Sequence, residues 1–279
     1  MSTEAWTRIS AHRHELGEGL RRTPDGIRWV DLMKGEMYAW TPGSPAFPRR
    51  THKLGTPLGL AEEDGTGRLI AAAGTGVVVL LNDGTDVPLA DTGLDPARYR
   101  VNDGALAPDG SFWFGTMVHN GSEPDGALWR WDPAGGGAVK MLGGIDIPNG
   151  PVFLPDGLGM LIADSAAGRI LRSTLSDPAD TVPFAQTTGG SPDGMHVDGL
   201  GRIWNAVWGA ARLDVYAADG SLLASLALPV AQPTSVLLTD GPDPRVIVTS
   251  AATGLSAPGP LDGCTIAAPF SRVAAGLGH

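Results

Sequence analysis

The amino-acid sequence predicts an all-β chain folded as a six-bladed β-propeller, on three observations. A turn built on Asp-Gly or a close variant recurs six times, a short apolar strand follows each turn, and no set of ten-residue amphipathic helices lies between them. The turns are Pro24-Asp25-Gly26, Asp64-Gly65-Thr66-Gly67, Pro108-Asp109-Gly110, Pro155-Asp156-Gly157, Asp198-Gly199-Leu200-Gly201 and Gly241-Pro242-Asp243-Pro244. Anchored at Gly26, Gly67, Gly110, Gly157, Gly201 and Pro244, they stand 41, 43, 47, 44 and 43 residues apart, the period of a four-stranded propeller blade. An α/β barrel needs a helix after every strand and is disfavoured; a β-sandwich is the alternative fold.

Each turn is expected to link the first two strands of a blade. Segments 27–30, 69–71, 112–114, 160–162, 203–204 and 246–248 open the second strands, and 77–81, 128–131, 170–173 and 213–216 read as third strands. These runs are nearly continuously apolar, as strands covered on both faces by neighbouring blades should be. Trp113, Trp129 and Trp204 are expected to pack between blades. A ring has to close, and segment 263–268 is placed as a last strand that pairs near the amino terminus. No linker rich in charge or low in complexity divides the chain, so residues 1–279 are assigned to a single six-bladed propeller domain.

Composition narrows the function. Hydrophobic residues at 42% and charged residues at 18% favour a packed core over disorder. A formal net charge of -10 disfavours nucleic acid and anionic membrane surfaces, which call for clustered Lys and Arg. Small molecules and cations are the expected partners. From Met1 through Glu4 and Trp6 there is no basic segment followed by an apolar run, and no apolar stretch reaches the roughly 18 to 20 residues that span a bilayer. The single Cys264 excludes an intrachain disulfide and reads as buried packing. A soluble protein of a reducing compartment, the cytoplasm, is expected.

If the six turns are equivalent, one fixed offset marks equivalent points on the innermost strands, which line the central channel. Eight residues before the anchors stand Glu18, Gly59, Asn102, Asn149, Asp193 and Val236, the last beside Thr234 and Ser235. Two carboxylates and two amide oxygens near one axis make a hard, oxygen-only site for one divalent metal ion: Ca²⁺, Mg²⁺ or Mn²⁺, with Zn²⁺ also compatible. Unpaired carboxylates in a narrow mouth raise one another's pKa, which is a physical reason for a cation there. Taken alone, Asn-Asp-Gly, Pro-Asn-Gly and Pro-Asp-Gly read as turn formers. Their shared register favours the site.

Leu16-Gly17-Glu18-Gly19, Arg100-Val101-Asn102-Asp103-Gly104, Gly115-Thr116-Met117, Pro148-Asn149-Gly150, Pro192-Asp193-Gly194 and Pro233-Thr234-Ser235 follow one another at blade spacing. In this the chain resembles the regucalcin and gluconolactonase family along almost its whole length. The resemblance implies a six-bladed propeller that hydrolyses a small sugar-derived lactone and holds a divalent metal through Glu18, Asn149 and Asp193. It also implies Arg100 and Asn102 as substrate contacts, and residues two apart do point to one side of a strand. The family often has a Glu three residues after its Gly-Thr-Met motif; here Asn120 stands there, with Glu123 further on. His119, beside it, is a candidate to bind substrate or carry a proton. Gly19-Leu20-Arg21-Arg22 departs from the family, in which Pro and an aromatic are usual, leaving room for a changed first blade or pocket wall. In the implied reaction water attacks a lactone carbonyl polarised by the metal, and Asp193 accepts the proton. No order of Ser, His and Asp offers a persuasive nucleophilic triad. Two rival readings stay open: a metal-dependent propeller esterase or phosphotriesterase, and a calcium-binding propeller without turnover.

Overall fold

A computed structural model of the chain describes residues 5–41, 44, 48–121, 123–275 and 277. Residues 1–4, on which part of the leader reading rests, lie outside the described residues. The recurring turns work through local chemistry. Asp64 accepts the amides of Thr66 and Arg68 at 2.9 Å each, and Gly67 takes φ +82, a left-handed conformation that a side chain would strain. Asp109, Asp156 and Asp198 hold the amide two residues on in the same way.

The described strands form six four-stranded antiparallel sheets, the blades of a six-bladed propeller. The innermost strands are Gly17–Thr23, Leu58–Glu63, Tyr99–Leu106, Pro148–Phe153, Ser191–Val197 and Pro233–Leu238, and in the first five blades the chain meanders outward through three more. The sixth blade runs Pro233–Leu238, Arg245–Ser250, Ile266–Pro269 and, outermost, Thr7–Arg8, which pairs with Ala267 and Ile266. Both ends of the chain are thereby stitched into one sheet, and the ring closes. The closing strand, expected over 263–268, begins only at Ile266 because Gly263 takes φ +73 and the Cys264 amide turns back to the Leu261 carbonyl.

Burial is greatest in the second strands and falls toward the rim. Second strands such as Phe112–Val118 and Gly159–Asp164 are buried throughout, whereas the outermost Asp86–Asp91 is largely exposed. Trp113 shares a core cluster with Met160 and Ile162 of the next blade, and Trp204 shares one with Val236 and Val248 of the sixth and with Cys264. Each such large apolar side chain contributes on the order of 2 to 3 kcal/mol by leaving water. Among the described residues no helix is long and apolar enough to cross a membrane.

A break in the inner strands positions the site. Pairing with the second strand slips between Glu18 and Arg21, Leu58 and Leu60, Val101 and Gly104, Asn149 and Val152, Pro192 and Met195, and Pro233 and Ser235. A bulge leaves residues outside the ladder and re-aims their side chains. It recurs in all six blades, and in five of them it falls at or beside the position picked by counting back from the turns. In the sixth blade the bulged residue is Thr234, so Thr234 and not Val236 is the equivalent position.

Candidate metal centre

Glu18, Arg100, Asn102, His119, Asn120, Asn149 and Asp193 line one cavity of about 390 Å³, within the range of roughly 300 to 1,000 Å³ usual for small-molecule sites. They come from the first, third, fourth and fifth blades, and the strand residues among them sit at the leading ends of their strands, away from the Asp-Gly turns. Met33, Met117, Ile147 and Trp208 give the cavity an apolar wall, and Glu15 and Thr253 also line it. In blade two the equivalent residue is Gly59, where an added Cβ would lie 2.2 Å from the Asn102 carbonyl oxygen. Thr234 stays out of the cavity and bonds the Thr249 hydroxyl at 2.9 Å. Glu123 lies outside the cavity lining and pairs with Arg98 at 2.6 Å, so Asn120 stands at the wall in the place where the family often has Glu.

The amides are oriented by a continuous network. Asn149 donates through Nδ2 to Ser165 Oγ at 2.8 Å, and Ser165 in turn donates to the Pro192 carbonyl at 2.6 Å. With its nitrogen committed, the Asn149 oxygen accepts from Asn102 Nδ2 at 3.0 Å and keeps a second lone pair. Arg100 Nη1 donates to Asn102 Oδ1 at 2.7 Å and to the Val101 carbonyl at 2.9 Å, while its buried Nε has no partner among the described residues. His119 donates through Nε2 to the Pro96 carbonyl at 2.9 Å.

Glu18 and Asp193 are each only 4% exposed. Each accepts the amide of the following glycine, at 3.2 Å for Gly19 and 2.9 Å for Gly194. Asp31, Asp103, Asp164 and Asp214, buried to a similar degree, pair with Lys34, Arg21, Arg169 and Arg212. Glu18 and Asp193 have no such ion pair among the described residues. Burial first, and then the charge of Asp103, pushes the Glu18 carboxyl up to about 8. Burial first, then Glu18 and Asp103, raises Asp193 well above the usual carboxylate range. Two buried, unpaired carboxylates beside an oriented amide oxygen are a donor set that suits a hard divalent cation.

Sequence reasoning missed several participants. Ser165, which fixes Asn149, lies just past a second strand and outside the counted register. Asp103 reads as part of a turn motif, yet its Oδ2 accepts the Gly150 amide at 2.9 Å and its charge reaches both cavity carboxylates. Asn205, fully buried, holds the Asp193 carbonyl through Nδ2 at 2.9 Å. A second cavity, of about 360 Å³, is lined by His196, Asp198, Arg202 and Asp240 and takes in none of the predicted site residues.

Comparison with known proteins bears on the fold and the family. Residues 16–252 match the family described as SMP-30/Gluconolactonase/LRE-like region. The chain is 30% identical over 255 residues to 6-deoxy-6-sulfogluconolactonase of Pseudomonas putida, covering 86% of each. It is 38% identical over 165 residues to L-arabinolactonase of Azospirillum brasilense, a match that spans about half of each, 56% of this chain and 54% of that one. Among solved structures, the calcium-binding protein regucalcin of Agrobacterium tumefaciens aligns with a TM-score of 0.84 at 27% identity, covering 94% of this chain and 92% of that one. With the bulged inner strands, the closed ring and a family match running from the first blade to the sixth, the chain belongs to the SMP-30/gluconolactonase/LRE-like family.

Proposed function

We propose that this chain, as one propeller domain over residues 1–279, hydrolyses a small sugar-derived lactone in the mouth cavity with the help of one divalent cation. The observation that carries the reading is the meeting of two buried, unpaired carboxylates with an oriented amide oxygen beside a guanidinium that has a donor to spare. Relatives named as sugar lactonases support the substrate class. Glu18, Asn149 and Asp193 would hold the cation, which when bound supplies Lewis-acid polarisation of the lactone carbonyl. Arg100, tied to Asn102 Oδ1 at 2.7 Å, offers donors to the ring and hydroxyl oxygens of the sugar, while Asn102, whose amide nitrogen is committed to the Pro148 carbonyl and Asn149 Oδ1, offers its oxygen as an acceptor. Asn120 and Nδ1 of His119 contribute hydrogen bonds at the wall, and Met33, Met117, Ile147 and Trp208 exclude bulk water. Asp193, whose proton affinity burial and Glu18 raise, accepts the proton of the attacking water. The water oxygen bonds to the carbonyl carbon, the ring C–O bond then breaks, and the ring oxygen leaves as a hydroxyl carrying the proton that Asp193 took from the water, giving the open hydroxy acid.

The test is a matrix of metals against lactones on chelator-stripped protein, with Asp193→Asn alongside. Stripping should abolish turnover, at least one of Ca²⁺, Mg²⁺, Mn²⁺ or Zn²⁺ should restore it, and the variant should stay inactive. Turnover that survives both chelation and the substitution rules the reading out. A phosphotriester panel in the same assay separates the esterase rival, and cation binding with no turnover of any lactone favours a binding protein.

A further inference from the structure

Arg21 lies where the sequence leaves the family pattern, three residues after Glu18 and just past the bulge in the first inner strand. Its side chain is 18% exposed, and its guanidinium crosses to two other blades. It pairs with Glu62 of the second blade and with Asp103 of the third, the latter at 3.1 Å, and it donates to the carbonyls of Leu20 at 2.9 Å and of Gly104. The cage is itself anchored: Glu62 accepts the Leu106 amide at 3.1 Å, and Asp103 accepts the Gly150 amide at 2.9 Å, one residue from Asn149. A fixed cation therefore sits among oxygens next to the mouth carboxylates. Arg21 follows Glu18 by three residues on the same inner strand, and its partner Asp103 accepts the amide of Gly150, the neighbour of Asn149. A fixed positive charge opposes any further cation placed near it.

We propose that Arg21 sets the cation affinity of the mouth: it is a tethered counter-cation that neutralises Asp103, keeps that carboxylate out of the ligand set and so weakens the hold on the divalent ion. The inference rests on the metal-centre reading above. Cation affinity in oxygen sites follows the number of charged ligands. Without the guanidinium, Glu18, Asp103 and Asp193 form a set of three carboxylates that repel one another and attract a divalent cation more strongly. Arg21 thus has an effect opposite to that of a structural strut, whose loss would loosen the centre.

The experiment is titration calorimetry of chelator-stripped protein with Ca²⁺ alone and with Mn²⁺ alone. Arg21→Met should bind at least about tenfold more tightly than the wild type, and Arg21→Lys, which keeps the charge, should stay within a few-fold. Adding Asp103→Asn to Arg21→Met restores the charge balance and should return the affinity toward the wild type. Asp103→Asn alone, which preserves the side-chain shape, should bind more weakly, and it carries the test if Arg21→Met fails to fold. Weaker or unchanged binding by folded Arg21→Met, or unchanged binding by Asp103→Asn, overturns the proposal and leaves the metal centre standing. A wild type that binds neither cation sinks the metal centre and this inference together.

Discussion

Carboxylates at the two ends of the inner strands meet opposite fates. At the turn end burial works against the Asp64 charge, but the Thr66 hydroxyl and the Arg68 amide and guanidinium overcome it and hold the carboxyl at about 2. Asp156 is likewise lowered, by the Gly159 and Leu158 amides. At the mouth end burial dominates and the nearest strong influence is another acid, so Glu18 rises to about 8 and Asp193 rises with it. The same type of side chain, five to seven residues away along the repeat, is held ionised where donors converge on it and driven toward its protonated form where other acids do.

The largest expected effect tests that contrast directly. Glu18→Gln and Asp193→Asn should each lower kcat/KM for a lactone by roughly 10² to 10⁴, yet raise the melting temperature of the chelator-stripped protein by removing a buried charge. The turn carboxylates should behave in reverse. Asp198 accepts the amides of Leu200 and Arg202, the Arg202 guanidinium and the Trp204 ring N–H at 2.7 to 3.0 Å. Asp198→Ala should therefore cost about 1 to 3 kcal/mol in chemical denaturation with kcat/KM unchanged. A mouth variant that melts early, or a turn variant that loses turnover, would erase the distinction between the two ends.

The pH dependence sharpens the comparison further. Folding raises Glu18 from its ordinary 4.5 to about 8. Its contribution to stability is thus complete below 4.5 and is lost as pH rises through about 8 in the metal-free chain. Asp64 is depressed from 3.8 to about 2, so its contribution is present above 3.8 and is lost as pH falls through about 2. In the proposed centre a bound cation would displace the Glu18 proton, and cation affinity should climb over the upper window. Melting curves of stripped and Ca²⁺-saturated protein should diverge between roughly pH 5 and pH 8. Curves that stay parallel there would show that Glu18 ionises as an ordinary exposed acid.

Much of this was legible in the sequence, for a physical reason. The Asp-Gly turns are local chemistry, and because each inner strand carries its bulge at nearly the same distance from the turn, an offset counted on the sequence lands on Glu18, Asn102, Asn149 and Asp193. The offset fails at Val236 because the sixth connection, between Leu238 and Arg245, is one residue longer than the next longest and its anchor Pro244 stands one residue nearer the following strand than in blades two to five, so the bulge falls at Thr234. The outer strand Thr7–Arg8 is too short to have a periodicity, and only its pairing with Ile266 and Ala267 defines it. Ser165 and Arg21 act across blades, at contacts between residues far apart in sequence, which no period within one blade can encode.

The smallest expected effect bears on the mouth end alone. Among the described residues His119 is the one imidazole lining the cavity, and an imidazole can accept a proton, which makes it the natural rival to Asp193 as proton acceptor. Its geometry argues for a lesser part. The backbone amide bonds the Arg98 carbonyl at 3.0 Å and Nε2 bonds the Pro96 carbonyl, so the ring is held with one nitrogen committed and only Nδ1 left to meet a sugar hydroxyl. His119→Gln should therefore change kcat/KM by less than about tenfold, mostly through KM, and leave the shape of the pH–rate profile intact. A loss near 10³ together with a vanished acidic limb would transfer the proton from Asp193 to His119. The raised carboxylates would then serve the cation alone, and the contrast between the two ends would be one of metal binding and not of proton transfer.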